Sequence, residues 1–484
     1  LTLSAATIDI ARAETGTDGL LSLSGTGGVS ATNIQSGGDT FLEATDGDVR
    51  SDGLISAGAI TARGNNVVLF VGGTTANFTE LTAGAGDAIL RGTADVVIAN
   101  GSASRNVSVE ASEGASITVT QLSAGSNLFL STDTLLTIGG VVTGETMSLT
   151  SGDIAIGANG RVGTAGETQQ IQVTNIDNQR QTFVGGTGTR NGYHIDADEL
   201  TRLFGGDIVI FAPDVAAVNP SSVGSSTPPD VIVESFTLTG GAPGSNLGAN
   251  GSLTIRTPGK MRVIGNVQLT GLTDVNALNL RADDALEVIL GQGTVRLLGT
   301  GNAPGGQLNL RSRDVIVATT AAIADVGSAT TVDAISSRLS QNDGITLDDG
   351  ALFARGISFQ DVAGVYVQNS GTGTDFALRR GLTFGAGGLD VSTEGSARIV
   401  INGVQLGASG PITGLDTIPA LTINGRPVDP ASNLFNLRST FNGCLIASVA
   451  NCSLAPQPEY ESNFPVQDVI EDEVGDGSED EGDG

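Results

Sequence analysis

The stretch Ser116-Ile-Thr-Val-Thr-Gln-Leu-Ser-Ala-Gly-Ser-Asn-Leu-Phe-Leu-Ser131 contains the pattern from which the architecture of this chain follows. Apolar and polar residues alternate in Ser116–Thr120 and again in Asn127–Ser131, as is typical of β-strands with one buried face. Between them, a short apolar segment, Leu122–Gly125, ends in glycine. The stretch therefore predicts short strands that are separated by glycine.

The same unit recurs throughout the first third of the chain. Apolar segments that end in glycine are Ile34–Gly37, Ile55–Gly58, Leu81–Gly84, Ile98–Gly101, Leu122–Gly125 and Val141–Gly144. The following strands begin at intervals of 21, 19, 21 and 19 residues, at Val67, Ala88, Val107, Leu128 and Met147. A fixed period of about 20 residues indicates one supersecondary unit stacked many times, with neighbouring units supplying each other's core. We predict an all-β fold, a right-handed parallel β-helix with about 20 residues per coil.

Length and composition fit a solenoid better than a compact domain. At 484 residues, the chain exceeds the size at which a single core stops growing. It contains 70 glycines without the period of collagen, only 4% of its residues are aromatic, and tryptophan is absent. A β-sandwich would require hairpin signals between matched strands, and Asn-Gly and Asp-Gly pairs seldom occupy such places. No apolar run of about 18 residues indicates a transmembrane helix.

The charge balance restricts the partners of the chain. The formal net charge is −29, with 23 basic residues against 52 acidic ones. Such a surface repels nucleic acid and anionic lipid headgroups, so we expect no nucleic-acid partner. The first ten residues already alternate like a strand and carry no basic leader. This beginning suggests a portion of a longer protein, entered within a coil.

Changes of rhythm divide the chain into five segments. Residues 1–164 and 236–355 carry the coil pattern, and residues 165–235 form an irregular insertion with a short helix. Residues 356–455 are expected to form a C-terminal capping module that hides the last open strand edge. Residues 456–484 are acidic and are expected to form a disordered tail.

The helix of the insertion is predicted from its ends. Asp196 is followed three residues later by Glu199, which is the spacing of a capping box. Gly205 and Gly206 would end the helix. His194, just before this segment, is interpreted as a structural residue that flanks the helix rather than as a ligand.

Three aligned strands of the second half end in arginine. They are Leu253–Arg256, Leu278–Arg281 and Leu308–Arg311. Stacked coils would place Arg256, Arg281 and Arg311 in one outward column, where like charges repel. Acidic neighbours are therefore expected to interleave with them, namely Asp283, Asp284 and Asp314. Either a solvated, compensated ladder or an anion-binding stripe fits this pattern.

No catalytic or cofactor site is predicted. Glycoside hydrolysis needs two convergent carboxylates, but adjacent strand residues such as Asp283 and Asp284 face opposite ways. The same holds for the pair at 348–349, and the chain is poor in His, Tyr and Lys. Asp46 and Asp48, with the acids of the tail, are weak calcium candidates, because neither an EF-hand nor a calcium-binding nonapeptide repeat is present. We therefore expect no enzyme, no metal and no cofactor.

Cys444 and Cys452 are the only cysteines of the chain. Two cysteines eight residues apart suggest a small disulfide loop in an oxidising compartment, which either staples the last coil or acts as an anchor. In the acidic tail, an apolar extended segment could add as a strand to a partner. Its contact residues would be Phe464, Val466, Val469 and Ile470.

These features resemble the filamentous haemagglutinin-like exoproteins of Gram-negative bacteria, which are exported by two-partner (type V) secretion. The resemblance is carried by the glycine-ended coils with Asn-Leu-x-Leu strands, by Asp196–Ile210 and by Val365–Cys452. It implies a right-handed parallel β-helix that passes an Omp85-type outer-membrane transporter and is displayed on the cell surface. A cysteine-closed C-terminal loop holds some members at the pore, and Cys444 and Cys452 are similar to it in type and place. The Asn-Pro-Asn motifs of the family's secretion domain are absent from this sequence.

The sequence thus favours a structural and interaction protein over an enzyme. We expect an adhesin-like exoprotein anchored by its C-terminal end at the outer membrane, with an Omp85-type transporter and a receptor or glycan of a host or neighbouring cell as partners. Two alternatives stay open. One is a carbohydrate-active β-helix enzyme, a polysaccharide lyase or hydrolase, and the other is a surface-layer component.

Overall fold

The computed structural model describes residues 1–215, 229–289, 292–318, 323, 352–367, 382–401, 404–405, 421–423 and 426–428, with side chains described through residue 360. The chain divides into two compact units, Leu1–Leu454 and Ala455–Gly484. All described residues belong to the first unit. The predicted tail therefore lies outside the described residues.

The described secondary structure consists almost entirely of strands. The first strands are β1 (Thr2–Thr17), β2 (Leu21–Gly37), β3 (Thr40–Ala44), β4 (Asp48–Ser56), β5 (Ala59–Gly64), β6 (Val67–Val71), β7 (Thr75–Ala83), β8 (Ala88–Gly92), β9 (Asp95–Ala103), β10 (Val107–Ala111), β11 (Ile117–Ala124) and β12 (Asn127–Thr132). The next are β13 (Leu135–Ile138), β14 (Val141–Thr143), β15 (Thr146–Ser151), β16 (Asp153–Ile156), β17 (Arg161–Val162), β18 (Gln170–Asn175), β19 (Thr182–Val184), β20 (Tyr193–Ile195), β21 (Gly205–Phe211), β22 (Val231–Val233), β23 (Phe236–Thr239) and β24 (Leu247–Thr257). The last are β25 (Met261–Val263), β26 (Asn266–Thr270), β27 (Ala277–Ala282), β28 (Ala285–Ile289), β29 (Thr294–Leu297), β30 (Gln307–Arg311), β31 (Asp314–Ala318), β32 (Leu352–Val367), β33 (Leu382–Ile401), β34 (Val404–Gln405), β35 (Leu421–Ile423) and β36 (Arg426–Val428). One short helix, α1 (Ala197–Leu200), and a 3-10 turn, Thr300–Asn302, are also described.

The strands stack coil upon coil in three parallel ladders. In the second half, the first ladder contains β21, β24, β27 and β30, the second β22, β25, β28 and β31, and the third β23, β26 and β29. Strand β32 then pairs with the last strand of all three. Among the described strands, only β33 with β34 and β35 with β36 pair antiparallel. The predicted parallel β-helix is confirmed.

One column of apolar residues, the core column, runs along the first ladder. Each member pairs in register with the next, in the order Ile8, Val29, Val49, Val67, Ala88, Val107, Leu128, Met147, Ile171, Ile208, Leu253, Leu278, Leu308, Ile357, Leu389 and Leu421. Every member through Ile357 is at most 5% exposed. Burying each Val, Leu or Ile side chain contributes about 1.5–3 kcal/mol. The column therefore supplies a continuous share of the hydrophobic stabilisation.

The predicted period is confirmed residue by residue. Val67, Ala88, Val107, Leu128 and Met147 are successive members of the core column. The spacing that placed them was therefore the true spacing of the coils.

The glycines that end the apolar segments are not all required for the same reason. A Cβ atom on Gly125 would lie 2.1 Å from the carbonyl oxygen of Ser104, so backbone packs directly on backbone at that corner. At Gly84, the nearest atom would be 3.8 Å away. Sterics therefore demand glycine at the first corner and leave room for a side chain at the second.

The corner that precedes the core column is held by an asparagine–aspartate ladder, defined by Asp48, Asn66, Asp87, Asn106 and Asn127. Asn66 Nδ2 donates to Asp48 Oδ1 at 2.8 Å, and Asn106 Nδ2 donates to Asp87 Oδ1 at 3.0 Å. Asn127 Nδ2 donates to Asn106 Oδ1 at 3.0 Å. Each side-chain oxygen also accepts the backbone N–H of the next member. The ladder thus ties neighbouring coils together where the strands are not yet paired.

The insertion leaves the first ladder unbroken but adds a strand to the second. Strand β18 pairs with β15 and β21, so the core column continues through Ile171 and Ile208. Strand β19 pairs with both β20 and β22, and β20 lies against β16. Strand β20 therefore follows β19 in the sequence but precedes it in the stack.

The predicted short helix is confirmed as α1, with its capping box. Asp196 Oδ1 accepts the N–H of Glu199 at 2.7 Å, and Glu199 Oε2 accepts the N–H of Asp196 at 2.9 Å. Glu199 Oε1 also accepts the N–H of Ile156 at 2.7 Å, which ties the helix to β16. No helix of the described residues has the length and apolar character needed to cross a membrane.

Strand β32 crosses the boundary predicted at residue 356. It pairs with β30 through Leu308 and Ile357 and with β31 through Val315 and Val365. Strand β33 pairs with β32 over nearly its full length. The coil pattern therefore continues into the segment that was expected to be a cap.

Candidate ligand-binding face

Arginine occupies the last outward position of the first ladder in three successive coils. Arg256 pairs in register with Arg281, and Arg281 with Arg311. Alternation turns these side chains outward because Ile255 and Leu280, which precede two of them, are fully buried. The predicted outward column is confirmed, and Arg256, Arg281 and Arg311 are called the arginine column below.

Each arginine is held by neighbours on the same face. The Arg256 guanidinium carbon lies 5.8 Å from the ring centroid of Phe211, which precedes it in register. Arg281 Nε lies 3.7 Å from Asp283 Oδ1, and these side chains are 23% and 50% exposed. Asp283 therefore interleaves with the column, as predicted.

Asp284 and Asp314 were expected to interleave in the same way, but both pair with a different cation. Arg313 lies 2.8 Å from Asp284 Oδ1 and 3.1 Å from Asp314 Oδ2. Both aspartates are buried. They thus belong to the corner after the strand rather than to its outward face.

A second outward column, the polar column, runs beside the arginines, two residues earlier in each strand. It consists of Thr254, Asn279, Asn309 and Ser358. Asn279 Nδ2 donates to Thr254 Oγ1 at 3.0 Å, and Asn309 Nδ2 donates to Asn279 Oδ1 at 2.7 Å. These bonds fix the amides in one orientation. The arginine and polar columns together are called the binding strip.

The corner between the first and second ladders contains a buried group of charges. Lys260, the single lysine of the chain, is 1% exposed, and its Nζ lies 2.6 Å from Glu287 Oε1. Arg262 Nε donates to Glu287 Oε2 at 2.6 Å. With Asp230 and Asp284, these residues form the corner cluster.

Two carboxyl groups of the corner cluster are shifted toward their protonated form. Burial raises the pKa of Asp230, although the N–H groups of Val215 and Lys260 donate to it at 2.9 and 2.5 Å. Burial also raises the pKa of Asp284, although Arg313 and Lys260 favour its carboxylate form.

The corner cluster is a packing device rather than an open site. Its charges already have partners, and both the inward and the outward side chains of β28 and β31 are buried. Buried charges need such pairing because desolvation costs several kcal/mol per ion. The binding strip, by contrast, presents partly exposed donors in a regular array.

The other predicted site residues have structural surroundings where they are described. The His194 Nε2 atom lies 2.9 Å from the Gly185 carbonyl oxygen, and its ring packs edge-on against Phe183. Asp48 belongs to the asparagine–aspartate ladder. Within the described ranges, no group of three or more His, Cys, Asp or Glu residues is placed to hold a metal ion.

The remaining predicted residues lie outside the described residues. They are Cys444, Cys452, Phe464, Val466, Val469 and Ile470, together with the acidic pair at 348–349. The disulfide, anchor and partner-contact predictions therefore stay predictions.

Sequence reasoning missed the polar column and the corner cluster. A signal for the first was present, because Leu278–Arg281 and Leu308–Arg311 are the same tetrapeptide and stack Asn279 under Asn309. For the second, the single lysine in a chain with 22 arginines marked an unusual position. Its carboxylate partner is 27 residues away, at Glu287, and no local pattern indicates it.

The chain matches no protein-family model, no curated protein and no solved structure.

Proposed function

We propose that this chain is a β-helical exoprotein of a Gram-negative cell surface with an adhesin-like, binding role. The single observation that supports this best is the register of the outward side chains. In the first ladder they form columns that repeat at every coil, at a spacing of about 4.8 Å. Such a face suits a partner with a repeating structure of its own.

The binding strip is rigid in a way that favours recognition. Asn279 is fixed on both sides by hydrogen bonds to Thr254 and Asn309. Because side chains that are ordered before binding lose less entropy on binding, preorganisation increases affinity. A binding role therefore requires no movement of the coils.

The two acidic residues next to the strip differ too much in surroundings to act as a catalytic pair. Asp283 is half exposed beside Arg281, while Asp284 is buried and paired with Arg313. Glycoside hydrolysis requires both carboxylates to flank the same bond. This contrast supports a binding protein over a carbohydrate-active enzyme.

The anchoring part of the proposal rests on Cys444 and Cys452 and on the family resemblance. In this proposal, the oxidised loop holds the C-terminal end at an Omp85-type outer-membrane transporter, and the tail segment from Phe464 to Ile470 contributes to that contact. Disulfides persist in the oxidising compartments outside the cytoplasm, which agrees with such a location.

Surface display and anchoring can be tested on intact cells of the native host. We expect externally added protease to remove the chain from intact cells, and reductant to release it from purified outer membranes. Cys444→Ser should be released without reductant, whereas Ser453→Ala, next to the second cysteine, should behave as wild type. Protection from external protease would contradict surface display, and retention of Cys444→Ser would contradict the anchor. Shortening of an acidic polysaccharide by the purified chain would instead establish an enzyme.

A further inference from the structure

We propose that the binding strip binds a linear anionic polysaccharide, laid along the direction in which the coils stack. This inference deepens the proposed binding function and rests on it. It assigns the arginine column to the carboxylate or sulfate groups of the glycan and the polar column to its hydroxyl groups.

The local charge around the strip is opposite to that of the whole chain. Residues 256–318 carry seven basic and five acidic side chains, whereas the chain has a net charge of −29. Three of those five acids, Asp284, Glu287 and Asp314, are buried and paired in or beside the corner cluster. An anionic ligand therefore meets a net positive surface here.

The spacing of the arginines fits a repeating ligand. Successive members lie one coil apart, about 4.8 Å, and a sugar unit of an extended polysaccharide is of similar length. A guanidinium binds carboxylate or sulfate through two parallel N–H bonds, so one arginine can serve one anionic group. Arg256, Arg281 and Arg311 would thus engage successive or alternate sugar units.

The immediate neighbours of the arginines leave room for this role. Within the described residues, no carboxylate lies within 4.0 Å of the Arg256 guanidinium, which faces the Phe211 ring instead. Arg281 lies beside a single half-exposed carboxylate, Asp283, at 3.7 Å. A contact of that length between exposed groups is weak, so a bidentate ligand can join it or replace it.

The polar column supplies what a sugar needs besides charge. Two residues along a strand correspond to about 7 Å, so hydroxyl and amide groups lie beside each arginine. Asn279 and Asn309 present amide donors and acceptors that hydrogen bonds hold in place. Single-stranded nucleic acid would instead call for aromatic platforms under successive bases. None of the seven residues of the binding strip is aromatic.

The test is a titration of the purified full chain with polygalacturonate, heparin and dextran, followed by calorimetry. We expect binding of at least one of the two anionic glycans, which tells carboxylate from sulfate preference, and no binding of the neutral dextran. The affinity should fall as salt is raised from low to physiological concentration, because exposed charges are screened.

A matched set of variants ties the binding to the strip. The triple variant Arg256→Gln, Arg281→Gln, Arg311→Gln should lose roughly tenfold to hundredfold in affinity, since each lost charged contact weakens binding. Arg91→Gln is the control, because Arg91 occupies the same outward position in the first ladder but lies 3.6 Å from Glu110. The triple Arg→Lys variant keeps the charge and the fold, and should lose part of the affinity because the bidentate fork is gone.

Three results would overturn the inference. They are equal affinity of the triple Gln variant and wild type, equal binding of dextran, and binding of oligo-dT as strong as that of the preferred glycan. If the chain is displayed on intact cells but binds neither anionic glycan, the inference fails while the proposed surface role stands. If protease does not reach the chain on cells, the proposed function itself fails.

Discussion

At the scale of single residues, the corner cluster carries the largest electrostatic stakes. Lys260 and Glu287 are almost completely shielded from water, and Arg262 is the second partner of the same carboxylate. A buried ion pair adds little net stability, but removing one partner leaves a charge without compensation. The lysine is therefore expected to matter more by its absence than by its presence.

We expect Lys260→Met to lower the free energy of unfolding of the surrounding coils by about 3–5 kcal/mol, because Glu287 then retains only Arg262. Hydrogen exchange of the amides of β25 and β28 measures the loss. The double variant Lys260→Met, Glu287→Leu should recover most of it, because no uncompensated carboxylate remains. Arg63→Met is the control, since Arg63 and Glu80 form an exposed pair whose loss should cost at most about 1 kcal/mol. Unchanged exchange in Lys260→Met would contradict the argument.

Glu199 should make stability depend on pH. Burial raises the pKa of Glu199, although the N–H groups of Asp196 and Ile156 that donate to it, and nearby His194, favour the carboxylate. A carboxyl with a raised pKa in the folded state stabilises the fold below its unfolded pKa, about 4.3. That contribution is lost as pH rises through the folded value.

The advantage in Tm of wild type over Glu199→Gln should therefore be larger at pH 4 than at pH 7, as measured by thermal unfolding followed by circular dichroism. The glutamine variant is also expected to be less stable throughout, because its single oxygen cannot accept both N–H groups. A constant difference in Tm across this pH range would show that burial does not shift the titration of this carboxyl.

At the scale of elements, the asparagine–aspartate ladder couples each coil to the next outside the strands. Asn106 → Ala removes hydrogen bonds to Asp87 on one side and Asn127 on the other. We expect a loss of about 1–3 kcal/mol, because half-buried partners are left unsatisfied. Asn100→Ala, at an exposed position with one long hydrogen bond of 3.4 Å, should change stability by less than about 0.5 kcal/mol. Equal effects of both substitutions in chemical denaturation would exclude a special role of the ladder.

Period and alternation made the coils predictable from the sequence, since one face of each strand must be buried. The arginine column followed directly, because in-register stacking converts aligned strings into aligned side chains. The corner cluster could not be found in this way. Asp230, Lys260 and Glu287 are separated by 30 and 27 residues, and only the lengths of the intervening loops decide that they meet. The reversed order of β19 and β20 was hidden for the same reason.

At the scale of the whole stack, contacts are limited to neighbouring coils, so stability is passed along the ladders step by step. Ile171 is the member of the core column at the insertion, and its side chain is fully buried. In a solenoid, a local defect separates the coils on its two sides into units that unfold independently.

Ile171→Asp should therefore split the thermal unfolding of the full chain into two transitions, as seen by differential scanning calorimetry, because an unpaired buried charge disrupts that coil. Gln172→Asp changes the adjacent, outward position and should leave the unfolding profile as in wild type. A single transition at lower temperature in Ile171→Asp would mean that the coils on both sides stay coupled through the other two ladders.

The added strand of the second ladder bears on the order in which the chain can fold. A solenoid that grows from its N-terminal end uses each finished coil as the template for the next. At the insertion this rule is broken, because β20 must be placed on β16 before β19 has a neighbour to pair with. A chain that emerges N-terminus first must therefore hold Gln170–Val184 unpaired until Tyr193–Ile195 arrives. Growth by single coils is replaced there by one concerted step of about two coils, a built-in pause midway through assembly.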